Sequence, residues 1–112
     1  MGRAQEWLLD QGYDVKDVHR SSSCDFVASK NDEDFVVEVK GTTGALGSVL
    51  LTSNEVALHR AQFPLNMLVV VHGIELLDVR QKAFGGTLKV LSPWDLDKTR
   101  LVPISYQCFL AP

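Results

Sequence analysis

Phe35-Val36-Val37-Glu38-Val39-Lys40-Gly41-Thr42 is the stretch from which the fold is read. Side chains alternate along a strand, so Glu38 and Lys40 share one face while Phe35, Val37 and Val39 share the other. Upstream, Asn31-Asp32-Glu33-Asp34 invites a tight turn, and Cys24 to Ser29 reads as the partner strand of a hairpin. Centring the turn on Asp32-Glu33 places Asp25 opposite Lys40 and Val27 opposite Glu38. In that register Asp25, Glu38 and Lys40 lie on one face. The other face carries Cys24, Phe26, Ala28, Phe35, Val37 and Val39, an apolar surface that requires a core.

Two carboxylates and an ammonium on one sheet face suit a hard divalent cation such as Mg2+. That ion prefers oxygen ligands, takes one or two carboxylates from protein and keeps positions for water and substrate phosphate. A neighbouring lysine can orient a metal-bound water or neutralise charge building on a phosphoryl oxygen. The competing reading is a cross-strand ion pair between Asp25 and Lys40 with Glu38 solvated, which is common in hairpins. Two local features favour the site. The apolar flanks place Glu38 and Lys40 on an interior strand, where an unpaired charge is costly. Gly41, Gly44 and Gly47 then lead the chain off the strand in a glycine-rich loop beside the charges.

A chain of 112 residues, 46% of them hydrophobic, forms one domain with a single core. No apolar run approaches the ~20 residues of a membrane-spanning helix. Met1-Gly2-Arg3 leads into an amphipathic segment and not into the apolar core of a signal peptide, which predicts an intracellular protein: cytoplasmic, or nuclear in a eukaryote. Cys24 and Cys108 sit in strand-like segments without zinc-site spacing and read as reduced, buried residues. The net charge is −3. Residues 1–40 hold five Lys/Arg against nine Asp/Glu, and residues 41–112 hold six against five, so the parts carry −4 and +1. A free-standing nucleic-acid binder is usually basic, which counts against a DNA substrate, although acids gathered around a metal cost little once the ion is bound.

The remaining pattern predicts a helix from Gly2 to Gln11, with Ala4, Trp7, Leu8 and Gln11 at helical spacing and Gly12 as its stop. A strand follows over Tyr13–Arg20, irregular near Asp17. Thr52-Ser53-Asn54-Glu55 is a capping-box pattern, so a second helix is expected from about Ser53 to Gln62, ending before Pro64. The unbroken apolar run within Asn66–His72 predicts a central strand covered on both faces. Residues 74–86 are ambiguous, Leu88–Leu91 is a strand, and Ser92-Pro93-Trp94-Asp95 starts a turn or short helix. Leu101–Leu110 alternates Val102, Ile104, Tyr106, Cys108 and Leu110 on one face, and Pro103 makes it an edge strand. Such an edge motivates a homodimer. His19, His59 and His72 are scattered and read as surface or packing residues, and Trp7 and Trp94 read as core anchors.

The order helix, three strands, helix, strand, with Asp25 opening the second strand and Glu38-Val39-Lys40 on the third, resembles the PD-(D/E)xK nuclease superfamily. More narrowly, Gly2-Arg3-Ala4-Gln5-Glu6, Cys24-Asp25-Phe26, Val37-Glu38-Val39-Lys40-Gly41-Thr42 and Leu51-Thr52-Ser53-Asn54-Glu55 look like the domain named after the C-terminus of the plant protein NO VEIN. The resemblance covers about residues 2–72. It implies an α/β fold with a restriction-endonuclease-like core, a mixed central sheet flanked by helices in the order α-β-β-β-α-β with extra C-terminal strands. Residues 1–112 would form a single nuclease-like domain, excised from or working with a larger protein such as a helicase or ATPase module.

Carried over by position, the resemblance implies that Asp25 and Glu38 hold Mg2+, with Mn2+ able to substitute. The backbone carbonyl of Val39 would add a ligand and Lys40 would serve the attacking water. Glu6 matches a first-helix acid that some members add to the site, although helical spacing puts it opposite Ala4, Trp7 and Leu8, on a solvated face. The implied activity is metal-dependent phosphodiester hydrolysis on nucleic acid, with DNA as substrate. The alternatives are a catalytically silent domain that docks nucleic acid or protein, and a purely structural ion-pair cluster.

Overall fold

The computed structural model describes residues 2–44, 47–77, 82–84 and 86–111. Helix α1 (Gly2–Asp10) is followed by strands β1 (Asp14–Asp17), β2 (Phe26–Lys30) and β3 (Glu33–Gly41), then by helix α2 (Ser53–Gln62) and strand β4 (Asn66–His72). Short strands β5 (Glu75–Leu77) and β6 (Lys82–Phe84), strand β7 (Thr87–Leu91) and a 3-10 helix (Leu96–Lys98) complete the described elements. The five-stranded sheet has the order β1-β2-β3-β4-β7, and β5 pairs with β6 in a sheet of their own. β3 and β4 are parallel and the other pairings are antiparallel. A parallel pair needs a crossover, which α2 provides. The result is a mixed α/β sheet. Among the described residues no helix is long and apolar enough to cross a membrane.

Local chemistry explains the boundaries. At the end of α1, the Gly12 N–H donates to Leu9 O and the Tyr13 N–H to Leu8 O, both at 3.0 Å, the paired bonds of a Schellman stop. Gly12 adopts φ +91°, a conformation other residues rarely take. At the start of α2, the Glu55 N–H donates to Thr52 Oγ1 at 3.1 Å and the Thr52 N–H donates to Glu55 Oε1 at 2.8 Å, closing the capping box expected from the sequence.

The β2–β3 turn differs from expectation. It is centred on Asn31-Asp32, both with positive φ (54° and 64°), and Lys30 pairs with Glu33 across it. Two residues with positive φ give the type I′ twist that matches paired strands, and Asn and Asp tolerate that region better than Glu33 would. Phe26 therefore pairs with Val37 rather than with Val39. The slip is two residues, so each side chain keeps the face assigned to it, but Asp25 is no longer opposite Lys40.

Alternation along β4 builds two cores, one on each face of the sheet, rather than the single core expected from the chain length. Met67 and Val69 join Ala4, Leu8, Phe26, Ala28 and Val37 under α1. Leu68 and Val70 join Trp94 and Leu96 on the other face, where Val49, Leu51 and Val56 pack against them. Asn66 to Val71 are buried, which accounts for the unbroken apolar run. Each such aliphatic side chain contributes about 1.5–3 kcal/mol.

The C-terminal expectation is corrected. Leu101–Leu110 forms no strand and is exposed, with Ile104 at 70%, Tyr106 at 90% and Leu110 at 96%, and Cys108 is exposed rather than buried. Alternation alone does not order a strand without a ladder to join, and Pro103 removes one of the donors a ladder needs. Cys24 is buried as expected. β1 is shorter than Tyr13–Arg20, stopping at the anticipated irregularity at Asp17.

Candidate functional site

Asp25 stands one residue before β2. Its N–H donates to Val37 O at 3.0 Å, and its Oδ2 accepts the Val39 N–H at 2.8 Å, so the strand edge holds the carboxylate beside Glu38. Glu38 lies on interior strand β3 with only 2% exposure. The carboxyls of Glu55 and Asp25 crowd its own, and its Oε1 lies 3.2 Å from His59 Nε2. Lys40, two residues on, extends the same face and sends its Nζ to both Glu55 oxygens at 3.0 Å. The ion pair of Lys40 is thus with α2 and not with Asp25, because the register places Asp25 beside Glu38 instead.

α2 supplies the rest of the cluster. Glu55 both caps the helix and binds Lys40. One turn later, His59 is fully buried and faces Glu38. Asn66 opens β4 beneath them and is also fully buried, its Nδ2 donating to Trp94 O at 2.8 Å and to His59 O at 3.2 Å. The Trp94 indole packs on the His59 ring with centroids 4.8 Å apart.

The electrostatics follow from this crowding. Burial first, then the carboxyls of Glu55 and Asp25, push the Glu38 carboxyl up to about 9. Burial pushes the His59 imidazole down to about 4. Burial also acts to raise Glu55, but the Thr52 N–H, the Lys40 ammonium and the Glu38 carboxyl together hold it below the usual range. At neutral pH the Glu38–His59 contact therefore joins two uncharged groups. With Glu38 ionised, three carboxylates would face one ammonium, leaving two negative charges in excess.

Of the residues singled out from sequence, Asp25 and Glu38 meet directly and Lys40 reaches them through Glu55. Val39 contributes its N–H to Asp25. Glu6 does not join them: it is exposed on α1, whose buried Ala4 and Leu8 cover the opposite face of the sheet. Among the described residues no group of three or more His, Cys, Asp or Glu side chains is arranged to hold a metal ion by itself. A surface hollow of about 470 Å³ lined by Asp14, Ser29, Lys30, Asn31, Asp32 and Asp34 lies at the hairpin turn and shares no residue with the cluster.

Sequence reasoning missed three members. Glu55 was visible only as a helix cap, and His59 as a surface or packing residue. The signal for the pair is their spacing of four on a helix that crosses between the strands of the site, which sets both side chains on one face. The signal for Asn66 is a polar residue opening an otherwise apolar run, a position where burial demands hydrogen-bond partners.

No curated protein and no solved structure matches this chain. The family model described as Protein NO VEIN, C-terminal, matches residues 3–78. The matched span is more than half of the 112 residues and takes in Asp25, Glu38, Lys40, Glu55, His59 and Asn66. The chain therefore belongs to the Protein NO VEIN, C-terminal family.

Proposed function

We propose that this domain is a PD-(D/E)xK-type phosphodiesterase that uses Mg2+, or Mn2+ in its place, to hydrolyse nucleic acid, with DNA as substrate. The observation that carries this reading is the buried Glu38 carboxyl pressed against Asp25 and Glu55, an arrangement that a divalent cation relieves. The donor chemistry fits such an ion. One oxygen of Asp25 is taken by the Val39 N–H and one of Glu38 by His59, which leaves one oxygen of each. Mg2+ usually takes one or two carboxylates from a protein and keeps several waters, and the backbone carbonyl of Val39 would add a further ligand. When bound, the ion would supply Lewis-acid polarisation of a phosphoryl oxygen and a more acidic water. Lys40, anchored by Glu55, would orient that water and offset charge developing on the phosphate.

Lys40→Ala tests the reading. Ion affinity and folding are expected to stay near wild type while cleavage of single-stranded, duplex or branched DNA at low salt falls by orders of magnitude, because the ammonium acts mainly in the transition state. Equal cleavage by the two proteins would contradict it.

A second reading is a silent domain that docks nucleic acid or protein. The Lys40 ammonium is already engaged by Glu55, and residues 1–40 carry −4, which weakens contact with phosphates. Under either reading, a helicase- or ATPase-type module in the same assembly would bring nucleic acid to the domain. Wild-type protein that binds Mn2+ and cuts none of these substrates would favour the silent domain.

A further inference from the structure

A neutral imidazole has one N–H, and its partners decide which nitrogen bears it. Around His59 those partners are fixed. The Trp94 backbone N–H donates to Asn66 Oδ1 at 3.2 Å, which sets the orientation of the Asn66 amide. Its nitrogen, turned the other way, donates to the carbonyls of Trp94 and His59 and lies 3.4 Å from His59 Nδ1. An amide nitrogen cannot accept a hydrogen bond, so a hydrogen on His59 Nδ1 would find no acceptor there, whereas a bare Nδ1 can share one of the amide hydrogens. A hydrogen on Nδ1, in the other tautomer or in the charged ring, would face the hydrogens of Asn66. The ring hydrogen therefore sits on Nε2, aimed at Glu38 Oε1 at 3.2 Å.

We propose that His59 is a positioning residue for the ion site: its Nε2–H, in the tautomer dictated by Asn66, holds one oxygen of Glu38 and turns the other toward Asp25 and the cation. This rests on the metal reading given above. Buried donors that orient a metal-binding carboxylate commonly matter about as much as this arrangement suggests, with about 10–100-fold in metal affinity lost on their removal. His59, fully buried and held on its other side by Asn66, supplies such a donor from a fixed place.

The test uses the whole chain. Long-range 1H–15N correlation spectra of the labelled, unmodified protein in EDTA should show His59 as the Nε2–H tautomer, and an Nδ1–H or doubly protonated ring would overturn the proposal. Calorimetric titration with Mn2+ should then show affinity about 10–100-fold weaker in H59L, which removes the donor. H59Q, whose amide can donate from about the same place, should restore most of it. Affinity unchanged in H59L refutes the positioning role while leaving the site intact. No Mn2+ binding by the unmodified protein refutes the site, and the positioning role with it. Should H59L fail to fold, the tautomer in the unmodified protein still decides.

Discussion

Without a bound cation the Glu38 carboxyl keeps its proton to about pH 9, since burial and then the Glu55 and Asp25 carboxyls oppose its ionisation. The raised value stabilises the fold below the ordinary carboxylate range and is lost as pH rises through 9. His59 works in the opposite sense, its lowered value favouring the fold above the ordinary imidazole value of 6.5 and weakening it as pH falls toward about 4. Between about 4.5 and 6.5 the two slopes oppose each other, and above 6.5 only Glu38 acts. Thermal melts in EDTA are thus expected to show stability falling from pH 6.5 to 9 by at most about 1.4 kcal/mol per pH unit, and Mn2+ should flatten that limb. Melts independent of pH over this range would mean that Glu38 is already ionised. A second residue-scale expectation concerns Glu6: exposed on the far face from the cluster, it can become Gln with unchanged Mn2+ affinity, measured by calorimetry. A tenfold loss in that variant would return it to the site.

The hairpin shows how local backbone chemistry sets the geometry of the site. Asn31 and Asp32 carry the positive φ of a type I′ turn, for which Asn-Gly is the preferred pair. Asp32→Gly is therefore expected to raise stability by up to about 1 kcal/mol, read as a higher melting temperature, while a lower one would contradict the turn. The bounds of α2 and β4 were legible residue for residue, because a capping box, a proline stop and a continuous apolar run are each local signals. The register of β2 against β3 was not, since four turn-forming residues in a row allow more than one centre, and only the even slip preserved the shared face of Asp25, Glu38 and Lys40. The segment Leu101–Leu110 misled because period-two alternation reports a capacity for pairing, and pairing is decided by a partner far away in sequence. Residues 74–86, ambiguous in sequence, contribute β5 and β6 to a separate pair.

At the scale of the whole molecule, β4 divides the domain into two cores, and the carboxylate cluster lies on the α2 face of the sheet, beside the core that holds Leu68, Val70 and Trp94. Val70→Asp puts an unpaired charge at a position 3% exposed, and the cost of several kcal/mol is comparable to the ~5–15 kcal/mol that holds a domain of this kind together. Circular dichroism should show the variant unfolded, and a native spectrum with unchanged melting would remove β4 from the centre. The half of the site contributed by the hairpin was legible because its residues are adjacent in pattern. The half contributed by α2 and Asn66 was hidden because a crossover, not sequence proximity, brings His59 against Glu38. The central claim is that Asp25 and Glu38 hold a divalent cation, and calorimetric titration of Mn2+ into the unmodified protein and Asp25→Asn measures it most directly. One weak site, with a proton released on binding at neutral pH as Glu38 ionises, and loss of that site in Asp25→Asn, is the expected result. No binding heat in the unmodified protein, or equal affinity in the two proteins, would contradict it.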